Sequence, residues 1–535
     1  MPTTSLLSPT TLSAWLYDGH EIALIDVGEA GQFGEGHLLL AVNLPLSRFE
    51  LDLARRVPRV TTRLVLVSID GMQAQVAADA ARALGYSDVH TLQGGTLAWQ
   101  AAGYKTFQGV NVPSKAFSEF VEHVYHTGDI EPAELARRQA AGDDLVLLDS
   151  RTLEEHRRFH VPGAISCAGS EIVTRFSDLV PSPETLVVVT CAGRTRGIIG
   201  AQSLIDAGVP NRVVALSGGT QGWRLAGLDL QRQPGQESIP ASTAAQALAR
   251  TQAAALERRE ALLRIDADTL RQWQATSDRT TFVFDIRTRA EFDAGHLPGA
   301  TWVQGVQLIQ CLDEWVAVRN AHVVLIDTDG SRAIIVANWL QRLGVQVALY
   351  APQAEDSLGA GVAAPLHARP WEDVPDLDAA AARALVATNA IVLDAGSSER
   401  HGRAHPQGAL WINRSAIDDV LLTRIVTAGK AVVLGDDDGV ARLLAYDLAQ
   451  RLATQHPHVE ITVLPGGLDA WQAAGLPLAS ELTPLADALR IDYLFWLHDR
   501  HAGNLQASAA YLQWEADLPA LVGDADQAGY RLRAA

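Results

Sequence analysis

Cysteine is nearly absent from the 535 residues: only Cys167, Cys191 and Cys311 occur, alongside two methionines and an aromatic content of 6%. So sparse and odd-numbered a set excludes a disulfide framework and a cysteine-built structural zinc site, and it suits a reducing compartment. Long apolar runs are missing as well. No stretch reaches the length that spans a bilayer, and the opening Met1–Leu7 lacks a basic segment leading into an apolar one. A cytoplasmic protein with no membrane contact is therefore expected. Positive charge is in deficit, with 43 Lys and Arg against 62 Asp and Glu and a formal net charge of −19. That balance disfavours nucleic acid and anionic membranes as partners and repels small anions at long range. An anionic substrate would need a local basic site.

What is present is an ordinary globular composition, 48% hydrophobic and 20% charged, in a chain long enough for several cores. Its strongest pattern is an internal repeat that occurs four times. Each copy opens on a short apolar strand ending in aspartate: Ala23–Asp26, Val146–Asp149, Phe282–Asp285 and Ile391–Asp394. Each then reaches a histidine, at His37, His160, His296 and His405, and a second apolar strand at Leu64–Val67, Leu186–Val189, His322–Ile326 and Ala431–Leu434. Every second strand leads through a polar loop into an amphipathic helix. Three copies close on a glycine pair and a tryptophan: Gly94-Gly95 with Trp99, Gly218-Gly219 with Trp223, and Gly466-Gly467 with Trp471. The third copy has lost both glycines and the tryptophan over Tyr350–Asp356, so its last helix is expected to be short or irregular.

Short continuous apolar strands alternating with helices predict an α/β fold around buried parallel sheets. The expected domains are 1–110, 125–233, 260–365 and 372–480, followed by a helical extension over 481–535. Ala-, Leu-, Arg- and Glu-rich Thr243–Leu263 should form a linker helix. The extension carries Trp496, Tyr511 and Trp514 on helical spacing and fits no repeat.

One thiol stands where chemistry is expected. Cys191 lies in Thr190-Cys191-Ala192-Gly193-Arg194-Thr195-Arg196-Gly197, between an apolar strand and a helical segment. A loop that feeds a helix N-terminus aims free N–H groups and partial positive charge at one spot. With Arg194 and Arg196 beside it, the thiol is expected to ionise more easily than a free cysteine and to act as a nucleophile.

Asp149-Ser150-Arg151, His160-Val161-Pro162-Gly163-Ala164, the Cys191 loop and Gly218-Gly219-Thr220-Gln221-Gly222-Trp223 occur in one order, and in this the chain resembles the rhodanese family. The resemblance implies four tandem rhodanese-like domains, each a parallel five-stranded sheet flanked by helices. It implies a sulfurtransferase in which Cys191 takes a sulfane sulfur from a small anionic donor such as thiosulfate, becomes a persulfide, and passes the sulfur to a thiol or cyanide. Ala192, Gly193, Arg194, Thr195, Arg196 and Gly197 would bind the substrate, and no cofactor or metal is implied. Opposite Cys191 the other copies offer Ser68, Asp327 and Asp436, none able to form a persulfide, so they are expected to be silent. Copies one and two resemble a silent–active tandem and copies three and four a second tandem, with Glu171 and Arg175 lining a mouth between copies one and two.

Asp149, Arg151 and His160 recur in silent copies and are expected to support structure. Cys167 is expected in the interior, with a resolving thiol as the alternative, and Cys311 in the core of a helical stretch, Val306–Trp315. His498 and His501 are expected on a solvated helix face. Phosphatases and arsenate reductases related to this family carry a longer loop with an arginine six positions after the cysteine; here that position is Gly197, which favours sulfur chemistry. The competing reading is a multi-domain scaffold or persulfide carrier, whose silent copies bind a protein partner.

Overall fold

The computed structural model of the chain describes residues 5–232, 235–237, 240–353, 369–388, 390–482, 484–500, 503–524 and 528–533. Among them are four parallel sheets, one per repeat, each flanked by helices. In copy two the central strand Leu145–Asp149 is bordered on one side by Leu186–Thr190, Val213–Leu216 and Asp129–Ile130, and on the other by Ala164–Ser166 and Gln236–Glu237. Val187, Val188 and Val189 are buried on both faces, as a parallel sheet covered by helices requires.

Strand number varies about the expected five. Copy three has five, ordered Leu263–Arg264, Gln346–Tyr350, His322–Ile326, Thr281–Asp285 and Thr301–Trp302. Copy two gains a sixth from Gln236–Glu237. Copy four has four, its outer strand reduced to a single bridge between Asp376 and Val463 beside Pro375, a residue with no N–H for the ladder. The third copy's expected irregular ending and its boundary at 365 fall at 354–368, outside the described residues.

The chain divides into two compact units, Met1–Val110 with Pro365–Trp496, and Asn111–Ala364 with Leu497–Ala535. Copy one thus packs with copy four, and copy two with copy three, which corrects the tandem pairing expected from chain order. Chain order failed because the chain sets the two middle copies together and brings the last copy back to the first. In the first unit Arg414 bridges to Glu50 of copy one and Asp447 of copy four. In the second, the linker helix Thr243–Glu260, capped by Ser242, lies against both Ile172–Leu179 of copy two and Ser331–Arg342 of copy three. No helix among the described residues is long and apolar enough to cross a membrane.

Each copy buries the aspartate that ends its first central strand, and each compensates the charge differently. Asp149 receives Arg151 on both oxygens and His156 Nδ1 at 2.9 Å. Although burial opposes ionisation, His156 and Arg151 hold its carboxyl at about 2. Copy three keeps the arginine, Arg287 on Asp285, and copy four keeps the histidine, His401 on Asp394. Copy one has Gly28 and Phe33 at the corresponding places, so burial pushes Asp26 up to about 7, offset in part by the Gly28 amide.

A native pKa above the unfolded value means the folded state binds the proton more tightly, so this carboxyl erodes stability as pH rises from about 4 to about 7. Asp26→Asn is expected to stabilise the protein at pH 8, on the order of 2–4 kcal/mol. The gain should vanish below pH ~4, as read from denaturant unfolding across the pH series.

Candidate active site

Strand register fixes the position of Cys191. Asp149 pairs with Thr190, so Cys191 is the first residue beyond the strand. The same register, Asp26 with Val67 and Asp285 with Ile326, places Ser68 and Asp327 at the equivalent point. Copy four pairs Asp394 with Leu434, and the equivalent residue is therefore Gly435. Asp436, expected there, lies one position on, where its carboxylate accepts from Ser397 N and Oγ and binds Arg400. Gap-free alignment along the helix could not resolve that single step.

The loop after Cys191 folds its amides inward. The N–H groups of Gly193 and Gly197 donate to the Cys191 sulfur, and Ser150 Oγ ties the loop to the first strand by donating to the carbonyls of Thr190 and Arg196. Thr195 opens the helix Thr195–Asp206, with its hydroxyl 3.2 Å from Ser118 Oγ. The glycine pair has a steric cause: Gly219, at φ +54°, brings the next helix so close that a Cβ would overlap the Cys191 carbonyl. Thr220 N and Gln221 N then donate to the carbonyls of Cys191 and Ala192 at 2.9 and 3.1 Å. Trp223 anchors that helix by donating to Asp229 O.

Copy three preserves the cradle and fills it. Asp327 accepts from the amides of Asp329, Gly330 and Ala333 at 3.1, 3.0 and 3.1 Å, and binds Arg332. Its own carboxylate occupies the place where an anion would sit. In copy one Ser68 Oγ accepts from Ala74 N at 3.2 Å, six positions on, the spacing that separates Gly197 from Cys191 and Ala333 from Asp327.

The two arginines behave unequally. Arg196 is buried and clamps Glu155 through both guanidinium nitrogens at 2.6 and 2.7 Å, while its charge still acts on the Cys191 sulfur. Against the cost of burial, Arg196 holds Glu155 at about 2. Arg194 is held by Glu119 at 2.8 Å and by Glu122, two carboxylates of the helix Val112–Tyr125. This corrects the expectation that both arginines would acidify the thiol. Cys191 is 2% exposed, and burial together with the charge of Glu515 pushes its thiol above the ordinary value, against the pull of Arg196 and the two amides.

Glu515 belongs to the C-terminal helix Leu505–Val522, which packs on Val112–Tyr125 and Gly219–Leu225 and covers the loop. Its Oε1 accepts from Tyr511 at 2.8 Å; its Oε2 lies 2.8 Å from where a Cβ on Gly193 would stand. Lys115 Nζ sits over the rings of Tyr511 and Trp514, and burial pulls its pKa down to about 8. Reasoning from sequence missed Glu119, Glu122, Glu155 and Glu515. Aromatics on helical spacing in a tail outside every repeat were the available signal for a helix with something to cover.

His160 Nδ1–H donates to His156 O and the ring stacks on that of His156 at 4.1 Å; His37, His296 and His405 repeat the carbonyl bond four residues back. Cys167 is buried, its thiol pushed up to about 12. Cys311 departs from the core position expected: it is half-buried at a break between Gly305–Gln310 and Leu312–Trp315, where its backbone leaves helical geometry. Glu171 and Arg175 do line a cavity of about 520 Å³, but its other wall is Thr288, Glu291 and Arg332 of copy three rather than copy one. His498 bonds Asp499, His501 lies outside the described residues, and no metal-holding cluster occurs among those described.

The rhodanese-like domain family model matches residues 8–102, 131–226 and 266–351, and the chain belongs to that family. It is similar over 99% of both chains to the crystal structure of a thiosulfate sulfurtransferase from Pseudomonas aeruginosa, at 37% identity and a TM-score of 0.90. An HTH-type transcriptional regulator from Mycobacterium tuberculosis is 34% identical over 99 residues, 18% of this chain. The match spans 42% of that curated relative's length.

The unequal arginines separate in mutagenesis. Arg196→Ala is expected to raise the pH midpoint of Cys191 alkylation, since it removes the positive charge acting on sulfur. Arg194→Ala should instead destabilise the fold by about 3 kcal/mol in denaturant unfolding, because it strands the buried carboxylate of Glu119.

Proposed function

We propose that the protein is a sulfurtransferase of four rhodanese-like domains, with boundaries near 1–110, 125–233, 260–365 and 372–480, and that copy two alone carries the chemistry. The observation that carries this reading is the Cys191 sulfur receiving the Gly193 and Gly197 amides with the Arg196 charge behind them. A thiolate so placed attacks the outer sulfur of thiosulfate; the Sγ–S bond forms as the donor's S–S bond breaks, and sulfite leaves with the electron pair. The amides and Arg196 offset the negative charge that persists on the persulfide. The similarity to the Pseudomonas thiosulfate sulfurtransferase supports thiosulfate as donor. A thiol or cyanide then removes the outer sulfur and regenerates Cys191.

Copies one and three hold serine and aspartate in the same cradle, and copy four holds glycine, so each contributes packing rather than sulfur transfer. Intact mass spectrometry after thiosulfate treatment should show the gain of one sulfur atom, mapped to Cys191 and released by cyanide. Cys191→Ser should gain none. A wild-type protein left unmodified by thiosulfate, mercaptopyruvate and glutathione persulfide alike would contradict the reading.

A further inference from the structure

Beside the cradle lie two hydrogen-bond acceptors with nothing to accept. Glu515 is 2% exposed, yet among the described residues its Oε2 has no hydrogen-bond partner, and neither does Gln221 Oε1. Both side chains reach Gly193, Glu515 with its unpaired oxygen and Gln221 with its amide nitrogen: a Cβ there would stand 2.8 Å from Glu515 Oε2 and 3.6 Å from Gln221 Nε2. Buried acceptors left unpaired are costly, and a site that retains them is shaped for a ligand that brings a donor. The cyanide and sulfite anions that attack sulfur bring none. A thiol brings S–H.

The surroundings make Glu515 able to take that proton. Tyr511 OH fixes Oε1 and leaves Oε2 as the free basic atom. Lys115 from the helix Val112–Tyr125, Arg194 from the Cys191 loop and Arg500 from the preceding turn supply positive charge around the carboxylate, while Glu119 and the Cys191 sulfur oppose it. Burial raises its affinity for a proton above that of an ordinary glutamate, the direction that strengthens a base.

We propose that Glu515 is the general base of the acceptor half-reaction and that it makes the Cys191 site selective for thiol acceptors. The inference rests on the sulfur-transfer reading above. The acceptor thiol gives its proton to Glu515 Oε2. The resulting thiolate attacks the outer sulfur of the Cys191 persulfide. A new S–S bond forms to the acceptor as the Sγ–S bond breaks, and its electron pair stays on Sγ, where the Gly193 and Gly197 amides receive it. Protonated Glu515 then returns the proton to solvent, and no oxidant or reductant is consumed.

The test compares reduced glutathione and cyanide as acceptors from the same thiosulfate-loaded enzyme. Glu515→Gln keeps the shape and removes the base, so the ratio of glutathione to cyanide turnover should fall about a hundredfold. The low-pH limb of the glutathione profile should disappear. Tyr511→Phe, which keeps the carboxylate but removes its hydrogen bond, should move that limb to higher pH in the glutathione reaction only, and it carries the test if Glu515→Gln fails to fold. Equal slowing with both acceptors, or an unchanged ratio and limb, overturns the inference while leaving the persulfide reading intact. Failure of wild-type Cys191 to load sulfur at all overturns the reading beneath it.

Discussion

A strand that ends at the N-terminus of a helix leaves backbone amides pointing at one place, and something must accept from them. The rest of this molecule can be understood from what each repeat puts there. Copy two supplies a sulfur, copy three the carboxylate of Asp327 and copy one the hydroxyl of Ser68. The donor six residues along the loop, Gly197, Ala333 or Ala74, is the same backbone group in each. In copy three the place is thus occupied by the chain's own carboxylate. Copy three has not lost its anion site; its own side chain holds it, with Arg332 bound to Asp327 and Glu291 much as Arg196 is bound to Glu155.

Around the Cys191 sulfur, charge is nearly balanced. Arg194 meets two carboxylates, Arg196 meets one, and Glu515 stands opposite Lys115 and Arg500. In a chain of net charge −19, the positive influences on the Cys191 sulfur are the Arg196 charge and the Gly193 and Gly197 amides. Burial raises the thiol pKa, while the Arg196 charge and the two amides pull it down.

The α/β class, the repeat and the position of Cys191 were legible because strands, glycines and tryptophans have local causes. The Gly219 backbone approach, the Trp223 anchor and the run of buried valines each leave a mark in sequence. What was not legible depends on contacts distant along the chain. Nothing near Arg194 announces Glu119 and Glu122, and nothing in copy two announces a cover from residue 515. The pairing of copies was misread for the same reason, since copy one finds its partner in copy four, at the far end of the chain. Gly435 was missed by one residue because register is fixed by pairing with Asp394, which no single-strand pattern displays.

A crystal structure of the protein after exposure to thiosulfate tests the occupancy account most directly. A second sulfur bonded to Cys191 Sγ within reach of the loop amides is expected, with the Asp327 carboxylate still seated in its own cradle. Added sulfur on Cys167 or Cys311 with Cys191 unchanged, or Asp327 displaced by a bound anion, would contradict it.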